Sequence, residues 1–358
     1  MNEKIILAGS MSGLGGTETA TLRLARLLKR RGHEVLLACS DGPLAAEAQQ
    51  AGIGIARSDF YRGGLFGYLK AAVGLVKLLR RARPQIVHCQ MARIVPACAL
   101  AAKIASPQTK VFYHARGLNP ETYPKIARLF DRLGVYIIGN CRHERDKLIR
   151  HGFPAARIAY TYNVLPEHAA RTAKPPRSRI VFGTLSRLDK ERAVHLALDA
   201  VKTLLDKGLD VRLSVAGVGA ESSHLKAQAE RLQMADKVDF LGGVRDLDAF
   251  FGSIDILLNT PVLIGDHGAG VGNNILEAGL YRTPVVSYDG AGISEMVADG
   301  ETGFCVPLGE TARFAESAAR LAADADLRRS MGDALHGRVC RLCSDDEIYR
   351  TTLAAYRM

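Results

Sequence analysis

Glu277 stands about one helical turn beyond Asn273-Asn274-Ile275, in a run that leaves the apolar segment Asp255-Ile-Leu-Leu-Asn259 through a glycine-studded loop. A buried strand that feeds a Gly-rich turn at a helix start aims backbone N–H groups, and the positive end of the helix dipole, at an anion such as phosphate. A carboxylate one turn further in can accept hydrogen bonds from two ribose hydroxyls. The combination suits a ligand that carries both phosphates and hydroxyls. Taken alone, the glutamate is equally a solvated residue favoured by the dipole.

Four other groups have chemistry within reach. Ser186-Arg187-Leu188-Asp189-Lys190-Glu191-Arg192 follows an apolar run, and cations at the end of a strand can neutralise a diphosphate leaving group as charge builds in a transition state. The bland alternative is a set of solvated surface charges. Gly13-Leu-Gly15-Gly16-Thr-Glu18 lets the backbone approach a ligand closely, but its spacing is not G-x-G-x-x-G. Asp41 sits where a nicotinamide enzyme would hold ribose, so an NAD-dependent oxidoreductase stays open as an alternative. Val215-Ala-Gly217-Val-Gly219 is a further strand-to-glycine turn. His88 and His114 each end an apolar run, where a ring can meet a sugar hydroxyl or simply pack.

These groups need elements to position them, and the chain alternates accordingly. Short apolar runs begin at Lys4, Glu34, Gln85, Lys110, Tyr136 and Arg157, with helical spacing between several of them, as over Thr19–Arg31. A polar stretch with Pro175-Pro176 then interrupts, and the alternation restarts at Arg179 and continues through Val211, Val238, Ile256 and Pro284. Strands alternating with helices predict doubly wound parallel sheets. The reading is an α/β chain of two Rossmann-like domains, residues 1–165 and 179–342, with a linker at 166–178. Ligands in such sheets bind beyond the strand C-termini.

A chain of 358 residues suffices for two cores, and 47% hydrophobic with 24% charged residues is ordinary for a globular protein. No run approaches the roughly 20 apolar residues of a membrane span, and the N-terminus does not read as a signal peptide, so a cytoplasmic protein is expected. Cys340-x-x-Cys343 has no second pair at zinc spacing, and the seven cysteines read as thiols. The charge is uneven. Residues 1–165 hold 25 Lys and Arg against 10 Asp and Glu, net +15, while the remainder holds 23 against 27, net −4. A basic half attracts an anionic partner. With no Trp and few aromatics among those charges, nucleic acid is not expected. A helix around 68–81 with Leu69, Val73 and Val76 on one face and Lys77, Arg80 and Arg81 beside them fits either a sheet-covering helix or one lying on a membrane.

In this order, the pieces resemble the GT-B-fold retaining glycosyltransferases of glycosyltransferase family 4 over nearly the whole chain. The matching pieces are Gly15-Gly16-Thr-Glu18, Arg31-Gly-His-Glu-Val35, His114, Asn163, Phe182-Gly-Thr-Leu-Ser-Arg187, Gly217-Val-Gly219, Leu276-Glu277-Ala278, Thr283-Pro-Val-Val286 and Gly303-Phe-Cys-Val-Pro307. The resemblance implies two domains facing across a cleft, with a nucleotide-sugar donor, a UDP-sugar being favoured, in the C-terminal one. The acceptor, an anionic glycolipid or oligosaccharide, would lie on the N-terminal one. No cofactor or metal is implied, since cationic side chains and helix N-termini take that role. Arg187 and Arg192 would clamp the diphosphate, Glu277 the ribose, and amides at Asn273, Asn274 and Ile275 a phosphate. Gly15 and Gly16 would line the donor phosphates from the other wall, with Gly217 and Gly219 also in the donor site. His114 would touch the transferred sugar. The last helix, about 343–358, would cross back to the N-terminal domain. Two departures stand out. Arg192 replaces the usual lysine, a mild change because arginine keeps the charge and can grip phosphate bidentately. The first glutamate of the family's E-x7-E is Ala269 here, for which Asp266 or His267 could substitute. That loss also keeps open a non-catalytic nucleotide-sugar-binding protein. The expected role is thus transfer of a hexose or N-acetylhexosamine to a surface glycan, in the cytoplasm or peripherally on the inner membrane's cytoplasmic face.

Overall fold

The computed structural model describes residues 2–11, 13, 15–58, 64–117, 120–167, 179–262, 268 and 270–358. The expected linker from 168 onward, and Asp266, His267 and Ala269, lie outside the described residues. The chain divides into two compact units. The first comprises Met1–Val164, Asp266–Gly270 and Cys343–Met358, and the second Leu165–Gly265 and Val271–Leu342.

The first unit runs β1 (Lys4–Gly9), α1 (Gly16–Arg30), β2 (Glu34–Cys39), α2 (Pro43–Gln50), β3 (Gly54–Arg57), α3 (Gly64–Ala82) and β4 (Ile86–Cys89). It continues with α4 (Val95–Ala105), β5 (Lys110–Ala115), α5 (Tyr123–Leu133), β6 (Tyr136–Gly139), α6 (Arg142–Arg150) and β7 (Ile158–Tyr160). Among the described residues its strands form one parallel sheet in the order β3-β2-β1-β4-β5-β6-β7. Central strands such as Ile86-Val-His-Cys89 are buried at every position, as expected where helices cover both faces.

The second unit runs β8 (Ile180–Leu185), α7 (His195–Asp206), β9 (Val211–Ala216), α8 (Ser222–Arg231), β10 (Val238–Gly242), α9 (Leu247–Ser253) and β11 (Ile256–Asn259). Next come α10 (Asn273–Leu280), β12 (Val285–Tyr288), β13 (Gly303–Val306), α11 (Thr311–Ala323) and α12 (Ala325–Leu342). Its parallel sheet has the order β10-β9-β8-β11-β12-β13.

The final helix, α13 (Asp345–Tyr356), belongs to the first unit. Ser344 caps it by accepting the Glu347 N–H at 3.2 Å, and Asp345, Asp346 and Glu347 fill its first turn, where the dipole favours them. Arg30 pairs with Asp345 at 2.8 Å, Arg31 with Asp346, and His33 Nε2 lies 3.0 Å from the Tyr349 hydroxyl. Exposed pairs of this kind contribute up to about 1 kcal/mol each. The burial of Ile348, Thr352, Ala355 and Tyr356 holds the helix more firmly.

Two features of the first unit differ from the simplest reading of its pattern. In α3 the core side is Leu75 and Leu79, whereas Leu69 and Val73 point to solvent. Of the apolar stripe read in the sequence, Val76 packs against the core, while Leu69 and Val73 lie off the face that covers the sheet. In α6 an ion pair between Glu144 and Lys147, 2.7 Å apart, is wholly buried, with the ammonium 5.8 Å from the Tyr123 ring. Burial pulls the lysine pKa down, but the adjacent carboxylate outweighs it and holds the ammonium above its ordinary range. Removing one partner strands the other charge. Lys147→Met should therefore destabilise the protein by about 3–5 kcal/mol in urea unfolding, and a loss under about 1 kcal/mol would refute this account.

Candidate functional site

Each sheet reverses its strand order at one place, and an open α/β sheet binds its ligands beyond the strand ends there. In the second unit this place lies between β8 and β11. Arg187 follows β8 directly, is exposed, and sits 3.0 Å from Asp189. Asp189 also accepts the Arg192 N–H at 3.2 Å, which closes a short turn over Lys190–Arg192. Arg192 is half-buried, and its guanidinium makes no hydrogen bond or ion pair among the described residues. Burial first, and then the Arg187 charge, lower its pKa. Two cations held near each other, one of them partly desolvated, favour a ligand with more than one negative charge. A pocket of about 410 Å³ opens beside Arg187, lined also by Asp189, Lys190, Glu191, Ala220 and Glu221.

The glycines of Gly217-Val-Gly219 have a local explanation. At Gly217 the backbone is at φ +149°, and a Cβ would come within 1.8 Å of the Ser186 carbonyl oxygen. At Gly219 a Cβ would lie 2.1 Å from the Leu188 oxygen. The Leu188 N–H donates to Val218 O at 3.0 Å, so this turn presses against the backbone that carries Arg187. Both glycines shape the site by close backbone approach.

The end of β11 fastens the rest. Asn259 donates from Nδ2 to Ser287 Oγ at 2.8 Å, and its Oδ1 accepts from Asn274 Nδ2 at 3.0 Å. Thr260 Oγ1 donates to the Arg192 carbonyl at 3.1 Å. One strand end thus fixes both the Arg192 turn and the start of α10. Neither Asn259 nor Thr260 stands out in the sequence, and their only signal is a polar pair closing an apolar strand. Asn273, Asn274 and Ile275 form the first turn of α10, whose Gly272 N-cap offers no side chain. The Ile275 N–H already donates to Asn274 Oδ1 at 3.0 Å and Gly272 O at 3.2 Å, so it is engaged within the turn. Glu277 is buried at 6% exposure.

In the first unit the strand order reverses between β1 and β4. Gly15 and Gly16 start α1 there, and the Glu18 carboxylate folds back so closely that a Cβ on Gly15 would meet it at 2.7 Å. Side chains two apart on a strand share a face. His88 and Gln90 from the end of β4, and His114 and Arg116 from the end of β5, therefore stand together. The His88 and His114 rings stack at 5.2 Å. His88 Nδ1 lies 2.9 Å from the Tyr356 hydroxyl. Arg116 donates to Asn163 Oδ1 at 2.7 Å and Gln90 Oε1 at 3.3 Å. Burial and the Arg116 charge push His88 down to about 3 and hold His114 well below its ordinary value, so both rings are neutral at pH 7. Asp41, on which the oxidoreductase alternative leans, pairs with Arg57 at 2.9 Å on the surface.

Residues 15–163 match a family model described as a glycosyl transferase 4-like domain, and residues 167–336 one described as glycosyl transferases group 1. The chain belongs to this glycosyltransferase family. Membership on both halves displaces the oxidoreductase alternative. This glycosyltransferase is 24% identical to the capsular polysaccharide biosynthesis glycosyltransferase CapM of Staphylococcus aureus, over 75% of each chain. It is 28% identical to the lipopolysaccharide core biosynthesis glycosyltransferase LpsE of Rhizobium meliloti (strain 1021), over 49% of each. Its fold matches Anabaena HepE, solved in complex with UDP-glucose, with a TM-score of 0.84 at 18% identity, covering all of both chains. The fold is GT-B.

Gly217→Ala should displace the Ser186–Leu188 backbone and Arg187 with it. A misplacement of about 1 Å can slow turnover by about 10²-fold, and that loss is expected in a donor-turnover assay. An unchanged rate would show that this contact does not set the position of Arg187.

Proposed function

We propose that the protein is a retaining glycosyltransferase that moves a hexose or N-acetylhexosamine from a UDP-sugar to a surface-glycan acceptor, a lipopolysaccharide core or a lipid-linked oligosaccharide. The observation that carries this reading is the juxtaposition of Arg187 with the partly desolvated Arg192 at the end of β8, tied through β11 to the start of α10 and Glu277. The capsular polysaccharide and lipopolysaccharide core biosynthesis for which CapM and LpsE are named, and the UDP-glucose bound to HepE, support the acceptor and donor classes. Arg187 and Arg192 would neutralise the departing diphosphate without a metal ion, Glu277 would hold the ribose, and His114 would meet the transferred sugar.

In the reaction we favour, the bond from the sugar's anomeric carbon to the diphosphate oxygen breaks. The acceptor oxygen bonds that carbon on the same face, and the acceptor's proton passes to the departing UDP. No protein nucleophile takes part. The non-catalytic alternative is kept only because Ala269 replaces a family glutamate.

With a panel of UDP- and GDP-sugars and a glycan acceptor, one UDP-sugar should release UDP, and release should survive chelator. Arg187→Ala should slow it by about 10²-fold or more, and Glu277→Ala should weaken donor binding. Tight donor binding with no turnover in the presence of acceptor would favour the non-catalytic reading.

A peripheral seat on an anionic membrane is supported by α3. Phe66, Leu69 and Val73 are 79%, 54% and 58% exposed, spaced to share one helix face, with Lys70, Lys77, Arg80 and Arg81 also exposed. Juxtamembrane cations contribute about 1 kcal/mol each at such a surface. The protein should sediment with phosphatidylglycerol vesicles and less so as salt rises, and Phe66→Ser with Leu69→Ser should abolish it. Equal sedimentation with phosphatidylcholine alone, at any salt, would sink this proposal.

A further inference from the structure

The basic cluster at the β4 and β5 ends of the first unit contains a cation with no carboxylate in direct contact among the described residues. Arg116 is bonded to two amide oxygens, Asn163 Oδ1 and Gln90 Oε1, and forms no ion pair with a carboxylate among the described residues. A guanidinium kept only as an interior staple ordinarily has a carboxylate partner. The groups packed around it include donors left unmatched. Arg116 Nε and Gln90 Nε2 are buried without a hydrogen-bond partner, Gln90 being 3% exposed. His114, 2% exposed, has no partner at either ring nitrogen, and His88 has none at Nε2. Leaving buried donors unmatched is unfavourable by about 1–3 kcal/mol each, so a fold that keeps several on one face, beside a cation, is arranged for an acceptor.

The surroundings add to this. Thr21 Oγ1, one turn into α1, lies 3.3 Å from Gln90 Oε1, which places the cluster against the first turns of a 15-residue helix. The N-cap of that helix, Gly15, offers no side chain, and the Glu18 carboxylate of its first turn folds back toward Gly15. Glu18 is the nearby counter-charge that acts on Arg116 electrostatically. Even so, burial lowers the guanidinium only to about 10, so it stays charged at neutral pH.

We propose that Arg116, with the free donors of Gln90 and His114, binds a substrate oxyanion in the first unit. The chemistry is that of a phosphate or carboxylate group. Under the function proposed above, on which the choice of sources rests, the group is either the donor's diphosphate or a carboxylate on an acidic sugar of the acceptor. Arg116 then fixes which substrates are accepted, because a neutral sugar leaves its charge and donors uncompensated.

The test titrates the intact chain with UDP, UMP, inorganic pyrophosphate and D-glucuronate, as wild type, Arg116→Gln and Gln90→Glu. Gln90→Glu is nearly isosteric, keeps the oxygen that Arg116 and Thr21 contact, and places a carboxylate in direct contact with the guanidinium. It therefore tests the site even if Arg116→Gln misfolds. With the diphosphate as source, both variants weaken UDP and pyrophosphate at least tenfold and change UMP no more than twofold. With an acceptor carboxylate as source, UDP stays within twofold and glucuronate binding falls at least tenfold. Binding of all four probes within twofold of wild type in both variants overturns the proposal, as does a wild-type protein that binds none of them. A wild type that binds no UDP but loses pyrophosphate binding on Arg116→Gln would sink the donor reading and keep this site.

Discussion

A strand in a parallel sheet must hand its chain to one face or the other, and right-handed crossovers leave little choice about which. Where neighbouring strands hand over to opposite faces, no connection bridges the gap beyond their ends. That happens between β1 and β4 in the first unit and between β8 and β11 in the second. Every side chain assigned to donor or oxyanion binding here stands at one of these two places or next to it. The family's chemistry can vary at these edges because the edge itself is a product of topology, and the strands behind it are ordinary buried apolar runs.

The two edges handle their polar groups differently. In the second unit the polar side chains are tied to one another. Ser287, Asn259 and Asn274 form a chain of hydrogen bonds, and Thr260 anchors the Arg192 turn. That edge is cross-tied by hydrogen bonds and carries two guanidinium groups. In the first unit, two neutral histidines, an amide and a guanidinium share a face with donors left over. Ligand atoms are the natural complement to such a face, and the neutrality of the rings keeps it from repelling a cationic neighbour as well.

Much of this was legible from residue types and order. Arg187 and His114 each close an apolar run, so their placement at strand ends could be read directly, and Glu277 lies one turn into a helix where its spacing put it. Gly217 and Gly219 were visible too, but their reason was not. Only the approach of the Ser186 and Leu188 carbonyls shows that these glycines serve the backbone. Asn259, Thr260 and Gln90 escaped because their importance lies in partners far away in sequence. The stripe of Leu69 and Val73 was ambiguous for a physical reason: helical spacing gives a face but not which side of the helix the sheet is on. The edge strand β3, half exposed and only four residues long, carries too little pattern to register.

The dependence of the first unit on α13 reaches into how the protein is made. Chains emerge from the ribosome N-terminus first, and domains generally fold as units as they appear. Here Tyr356, which packs against His88 and Phe112, belongs to a helix that follows the whole second unit in the sequence. All of the second unit is synthesised between the first sheet and the helix that covers it. The first sheet is therefore made well before α13, the helix whose Tyr356 meets its His88.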